Sequence, residues 1–220
     1  MAPRVLPDGG SLVVVARTLD PMSTESSPHV PLWNLANVLT MVRVALVPVF
    51  AVLMLGDSTA TRIAATVVFL AAAATDKLDG HIARSRGLVT NFGKIADPIA
   101  DKALVISALL LLWAEGTIPW WVPVVIIVRE LGITALRFVM VRRAVMAASN
   151  GGKLKTVLQI VFITAYLVPW ESLLPQAAAD VVLVCAWWVM LLAVLVTVVT
   201  GLDYVVRAVR IAQAPATDRR

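Results

Sequence analysis

The chain of 220 residues is 60% hydrophobic and 15% charged, against roughly 45–50% and about 25% in an ordinary soluble domain, so its composition is that of a protein solvated by lipid. Its net charge of +5 does not indicate nucleic acid, because the lysines and arginines lie between and beside apolar runs instead of along one polar face; anionic lipids and phosphate-bearing substrates fit that distribution. A single cysteine, Cys185, excludes an internal disulfide, and the absence of repeats or low-complexity tracts points to one domain.

In chain order, residues 1–29 read as a mobile polar leader, since the apolar run SLVVVA at 11–16 is too short for a secretory core. Pro31 to Thr40 mixes Leu32, Trp33 and Leu35 with Asn34, Asn37 and Thr40, and predicts either a short helix lying along the membrane interface or a tryptophan-anchored span end. Six apolar stretches follow, near 37–55, 59–78, 98–114, 119–140, 155–170 and 178–200, each close to the ~20 residues a helix needs to cross the hydrocarbon core. Turn residues mark the gaps: Gly56 and Asp57, Gly116 to Pro119, Asn150 to Gly152, then Pro169 and Pro175. The expected architecture is all-α and integral to the membrane, with six transmembrane helices in a domain over 30–206 and a basic cytoplasmic tail over 207–220.

Basic residues orient the spans. The connections around 56–62, 114–119 and 169–179 carry one of the nineteen lysines and arginines, Arg62, so these are the outer loops, and both termini are expected in the cytoplasm of a multi-pass protein of the cell membrane. The tryptophans, including Trp113, Trp120, Trp121, Trp170, Trp187 and Trp188, read as an interfacial belt or as lipid-facing residues.

The stretch Thr75 to Lys102, TDKLDGHIARSRGLVTNFGKIADPIADK, carries the chemistry. On a helix Asp76, Asp79, Gly80 and Ala83 share one face, and on the next Gly93, Asp97 and Asp101 recur at intervals of four. Four carboxylates brought together at a membrane boundary repel one another unless cations lie between them. Oxygen-only ligands with no histidine or cysteine suit hard ions such as Mg²⁺ or Mn²⁺. Asp76 and Asp79 also fall near the expected end of an inward-running span, where the helix dipole favours a cation. Gly80, Ala83 and Gly93 allow a nucleotide or pyrophosphate to approach the backbone, or two helices to pack closely, and Arg84 suits a phosphate.

Read as Asp76, two residues, Asp79, Gly80, two residues, Ala83, Arg84, eight residues, Gly93, three residues, Asp97, three residues, Asp101, the sequence resembles the signature of the CDP-alcohol phosphatidyltransferases at all eight fixed positions over 26 residues. The resemblance implies six transmembrane helices around a polar, metal-containing cavity on the cytoplasmic side, with two divalent ions and a homodimeric assembly. It carries metal ligation onto Asp76, Asp79 and Asp97, and onto Asp101 both a place in the metal set and the role of general base. Asp76, Asp79, Gly80, Ala83, Arg84 and Gly93 inherit the CDP moiety. Asn37 and Thr40 are further candidates for the nucleotide and Arg43 for a phosphate; alternatively the three cap and anchor the first span.

A second cluster bears on the acceptor alcohol. Arg129, Glu130 and Arg137 stand inside the fourth apolar stretch, where a charge normally faces a polar cavity, and Arg142, Arg143, Lys153 and Lys155 follow. Such a basic pocket calls for an anion, so Arg129, Arg137, Lys153 and Lys155 are assigned to an acceptor phosphate, Arg129 alternatively to a buried structural pairing with Glu130 or an aspartate, with Arg142 and Arg143 read as topological charges. Glycerol 3-phosphate carries that anion and serine, ethanolamine or choline does not; inositol phosphate also satisfies it. VRELGITALR, GGKLKT and the upstream WNLANVLTMVR are similar to the branch of the family that uses glycerol 3-phosphate, although Ala36 stands where that branch often has proline. The implied reaction transfers the phosphatidyl group of CDP-diacylglycerol to sn-glycerol 3-phosphate, giving phosphatidylglycerol phosphate and CMP.

Rival readings of the same residues are a phosphatidylinositol phosphate synthase or a cardiolipin synthase of the same family. Outside it stand an ion or proton transporter with acids in its spans, and a prenyltransferase that handles a pyrophosphate through aspartates and Mg²⁺. The small residues and Arg84 at fixed intervals from the acids argue against a transporter.

Overall fold

The computed structural model describes the backbone of residues 35–86, 91–140 and 150–213, and the side chains of 38–75, 102–138, 153–211 and 213. All described elements are helical: α1 (Leu35–Met54), α2 (Thr59–Arg86), α3 (Asn91–Ala114), α4 (Trp121–Met140), α5 (Asn150–Leu167), the single turn α6 (Trp170–Leu173) and α7 (Gln176–Gln213). Each of the six expected apolar stretches coincides with one long helix. Of these, α7 is long and apolar enough over Gln176–Ile211 to cross a membrane by length and composition among the described residues.

The helix ends follow from local chemistry. Ser58 caps α2 by accepting from the Thr61 amide at 3.1 Å, the third helical position reached by an N-cap side chain. Gly116 ends α3 with a φ of 74°. Its amide donates to the Trp113 carbonyl and the Thr117 amide to the Leu112 carbonyl, both at 2.9 Å, the paired bonds of a glycine-terminated helix. Beyond α5, the Trp170 indole donates to the Ala165 carbonyl at 2.7 Å, and Thr59 donates to Ser172 at 3.1 Å, which ties the start of α2 to the connection before α7.

In the middle, α1 packs on α2 and α3, α5 on α2 and α7, and α4 on α3 and α7. Phe50, Phe69, Leu109, Leu112, Ile126, Phe162 and Met190 are fully buried there, and the Phe50 and Phe69 rings meet at 5.9 Å between centroids, inside the range of favourable aromatic pairs. Alanines 65 and 72 are also fully buried in α2, so its inner face is narrow enough to seat α1. The outer face is equally apolar: Val52, Leu55, Trp120, Val181, Trp188 and Leu202 are each more than 60% exposed. An exterior of this kind is unfavourable in water and stable in hydrocarbon. Trp113, Trp120, Trp187 and Trp188 are exposed as expected of lipid-facing residues, and so is Cys185.

Two expectations need revision. Leu35–Thr40, the described part of the segment read as an interfacial helix, continues without a break into α1; residues 31–34 lie outside the described residues, as does the leader at 1–29. Helix α2 does not stop near 78 but runs to Arg86, so Asp76 and Asp79 stand about two turns or more before its end. The dipole fades within the last turn, and the favourable field assigned to that end does not reach them. Helix α7 is continuous from Gln176 to Gln213.

Candidate active site

Asp76, Asp79, Gly80, Ala83 and Arg84 lie on α2, and Gly93, Asp97 and Asp101 on α3. Their side chains fall outside the described residues, as does that of Asn37. The backbone still carries information. Both helices are continuous through the acids, with α3 starting at Asn91, so Pro98 is an interior residue and Asp97 is not an N-cap. Helical register then places Asp76, Asp79, Gly80 and Ala83 on one side of α2, and Gly93, Asp97 and Asp101 on one side of α3. The two helices are in contact and both pack on α1. Carboxylates are the oxygen ligands that suit a hard divalent cation, and four of them stand on these two adjoining helices.

On α1, Thr40 and Arg43 are 1% exposed. They are three residues apart and face the helices that α1 packs against. An arginine buried in an apolar helix is costly unless it serves a polar interior.

A cationic cluster joins α3, α4 and α5. Glu130 on α4 is its hub: Oε1 accepts from Arg129 Nη1 at 3.0 Å and from the Lys155 ammonium on α5, while Oε2 faces Lys102 Nζ on α3 at 3.6 Å. The four side chains are 8–19% exposed. Among the described residues three cations surround one carboxylate, in a place where charge is poorly solvated. A cavity of about 30 Å³ between Lys102, Glu130, Lys155, Thr156 and Gln159 adjoins it, room for a water or two.

Helix α7 supplies the opposite wall with a polar row spaced by three and four residues. Thr197 accepts from the buried Gln159 amide at 3.3 Å, Thr200 from Arg129 Nη2 at 3.3 Å, and the Tyr204 ring lies 5.8 Å beneath the Arg137 guanidinium, within cation–π range. Gly201 sits in the middle of this row. A methyl there would come within 3.0 Å of Arg129 Cγ, so the absence of a side chain lets the arginine stem cross α7. An apolar groove of about 460 Å³ runs between α4 and α7 past Val128, Gly132, Val198 and Leu202, with Arg129 the one charged residue of its lining among the described residues.

Of the residues assigned to an acceptor phosphate, Arg129 and Lys155 thus meet at Glu130, whereas Arg137 turns to Tyr204 and Lys153 is exposed on the first turns of α5. Lys102, Gln159, Thr197, Thr200 and Tyr204 join the site without having been singled out. The 197–200–204 spacing inside an apolar run was the available signal for the last three.

Comparison with known proteins identifies the family. The profile of the CDP-alcohol phosphatidyltransferase family matches residues 33–199. A Mycobacterium tuberculosis protein named "Probable phosphatidylglycerophosphate synthase" is 44% identical over 199 residues, 89% of this chain and 91% of the relative. A "CDP-diacylglycerol--glycerol-3-phosphate 3-phosphatidyltransferase" of Bacillus subtilis is 40% identical over 189 residues, 79% of this chain and 94% of the relative. An Escherichia coli protein of the same name is 39% identical over 135 residues, 59% and 74% of the two chains. Matched along most of its length, with eight signature positions on two adjoining helices, the chain belongs to the membrane-associated, divalent-metal-using CDP-alcohol phosphatidyltransferase family.

Proposed function

We propose that this enzyme transfers the phosphatidyl group of CDP-diacylglycerol to sn-glycerol 3-phosphate, releasing CMP and forming phosphatidylglycerol phosphate. The observation that carries the acceptor is the surplus of cations around Glu130 among the described residues, with Lys102, Arg129 and Lys155 meeting one carboxylate. A phosphomonoester neutralises that surplus, and an uncharged or cationic alcohol does not. The relatives whose printed names specify glycerol 3-phosphate support the same acceptor.

Asp76, Asp79, Asp97 and Asp101 hold divalent ions, Mg²⁺ or Mn²⁺ and two in number, which when bound neutralise the pyrophosphate and the departing CMP. Gly80, Ala83 and Gly93 give the nucleotide close access to the backbone, and Arg84, Asn37 and Thr40 contact it. Asp101 takes the proton from the acceptor hydroxyl as its oxygen forms a bond to the phosphatidyl phosphorus. The bond from that phosphorus to the bridging oxygen breaks, and CMP leaves with the electron pair. Lys153, Lys155, Arg129, Arg137 and Arg43 keep the acceptor phosphate oriented, so that reaction is favoured by positioning and charge instead of a covalent enzyme intermediate.

The wider arrangement is six spans with both termini and the site on the cytoplasmic side of the cell membrane, a leader over 1–29, a catalytic domain over 30–206, a basic tail over 207–220, and a homodimer. Arg62, partnered with Glu115 at 2.7 Å, marks the opposite, outer end in that topology.

The test uses the purified full chain with CDP-diacylglycerol, Mg²⁺ or Mn²⁺, and labelled glycerol 3-phosphate, inositol phosphate, serine and phosphatidylglycerol in parallel, following CMP and lipid product. Product with glycerol 3-phosphate alone is expected. Product with inositol phosphate or phosphatidylglycerol instead moves the enzyme to another branch, and ion flux in liposomes without lipid product overturns the enzymatic reading.

A further inference from the structure

We infer that Glu130 is a positioning residue for the acceptor: it acts through Lys155, whose ammonium it fixes against the cavity between α3, α4 and α5. This rests on the glycerol 3-phosphate reading above. Glu130 touches cations from three helices, Lys102 on α3, Arg129 on α4 and Lys155 on α5. Its Oε1 is shared by Arg129 and Lys155, and Oε2 is left to Lys102 at 3.6 Å.

The division of labour among the three cations follows from their other partners. Arg129 is committed on its far side to Thr200 and threads past Gly201, so it anchors the carboxylate to α7. Lys155 is the most buried of the three and, like Lys102, lines the polar cavity, with Thr156 and Gln159 beside it. A lysine ammonium carries three donors on a flexible stem, so one bond to Glu130 fixes its place and leaves capacity for a phosphate oxygen. Released from Glu130, the same ammonium would be free to rotate away, and its rotamer entropy would have to be lost at each binding event. A positive hub without an anchoring carboxylate would also spread, since Lys102, Arg129 and Lys155 repel one another at this distance. Glu130 thereby sets where the excess charge sits, while the excess itself attracts the anion.

The experiment compares Glu130→Asp and Glu130→Gln with the wild-type full chain in detergent micelles, measuring KM separately for glycerol 3-phosphate and for CDP-diacylglycerol. Aspartate keeps the charge but draws it back by one methylene; glutamine keeps the reach but drops the charge. The expected result is a rise of about tenfold or more in the KM for glycerol 3-phosphate in both variants, with the KM for CDP-diacylglycerol changed less than about twofold. Combined with Lys155→Met, neither substitution should add to the defect of Lys155→Met alone. Equal shifts in the two KM values, additive effects with Lys155→Met, an unchanged KM for glycerol 3-phosphate, or failure of both variants to fold would each overturn the proposal, because each makes Glu130 a general structural residue or an irrelevant one. A wild-type enzyme that forms no product from glycerol 3-phosphate is a different outcome, which sinks the acceptor assignment itself.

Discussion

Gly201 and Arg129 are complementary: a Cβ on the glycine would stand 3.0 Å from Arg129 Cγ and 3.4 Å from its Nε. The arginine crosses α7 through the gap and reaches Thr200 one residue earlier. Filling the gap forces the stem or the helix to shift. Gly201→Leu is expected to lower stability by ~1–3 kcal/mol, the usual cost of overpacking, with Gly201→Ala milder. Thermal unfolding of the detergent-solubilised protein checks the order; a leucine variant as stable as the wild type would show that Arg129 has another route.

Gln159 and Thr197 link α5 to α7 through a buried amide and hydroxyl at 3.3 Å. Thr197→Val keeps the shape and removes the acceptor. In water an orphaned buried amide costs more, but bonds between membrane helices average nearer 0.6 kcal/mol because the separated helices find other partners, so a loss of ~1 kcal/mol is expected. A denaturant or thermal titration of this single variant measures it, and kcat should be retained.

Arg62 grips Glu115 with both guanidinium nitrogens, at 2.7 and 2.5 Å, joining the start of α2 to the end of α3. The pair is 23% and 31% exposed, so water and salt screen it and its removal should cost only ~0–1 kcal/mol despite the two-pronged geometry. Glu115→Gln is therefore expected to leave turnover near the wild-type value, and any stability difference should shrink as salt is raised. A large loss of activity would place the chemistry at the wrong end of the bundle.

Asp101→Asn removes the proposed proton acceptor while keeping its size. Turnover should fall by about 10²–10⁴-fold, the range attributed to general bases, while CDP-diacylglycerol still binds. Equilibrium binding of a labelled nucleotide together with CMP release separates the two effects; near-normal turnover removes the base assignment.

Chelation should silence the enzyme without unfolding it, since the described core is apolar and independent of the aspartates. Excess EDTA is expected to stop CMP release, and Mg²⁺ or Mn²⁺ added back to restore it. Retained activity after exhaustive chelation would exclude a metal role for the four acids.

The helices were legible in the sequence because six apolar runs were separated by Gly56, Gly116 and Pro169, residues whose backbone preferences end helices. The exact ends of α2 and α3 were not: the spacing of the acids put Asp76 to Ala83 and Gly93 to Asp101 on helices, but hydropathy gives no boundary in this polar stretch, where helix persists to Arg86 and resumes at Asn91. Spacing identified the eight signature positions. It could not reveal that Glu130 gathers Lys102 and Lys155, since residues 28 and 25 apart meet only when three helices pack. Nor could it reveal that Arg137 on α4 lies over the Tyr204 ring of α7.

Helix α7 has 38 residues, about 57 Å at ~1.5 Å per residue, nearly double the ~30 Å of lipid tails in a typical bilayer. Tilting cannot absorb so much excess. In the six-span arrangement proposed above, the Asp203–Arg207 pair, half exposed near the carboxyl end, marks the end that emerges: the final turns form a stalk clear of the acyl chains, and shortening the protein from that side should trim the stalk long before it disturbs the buried Ala193 and Thr197.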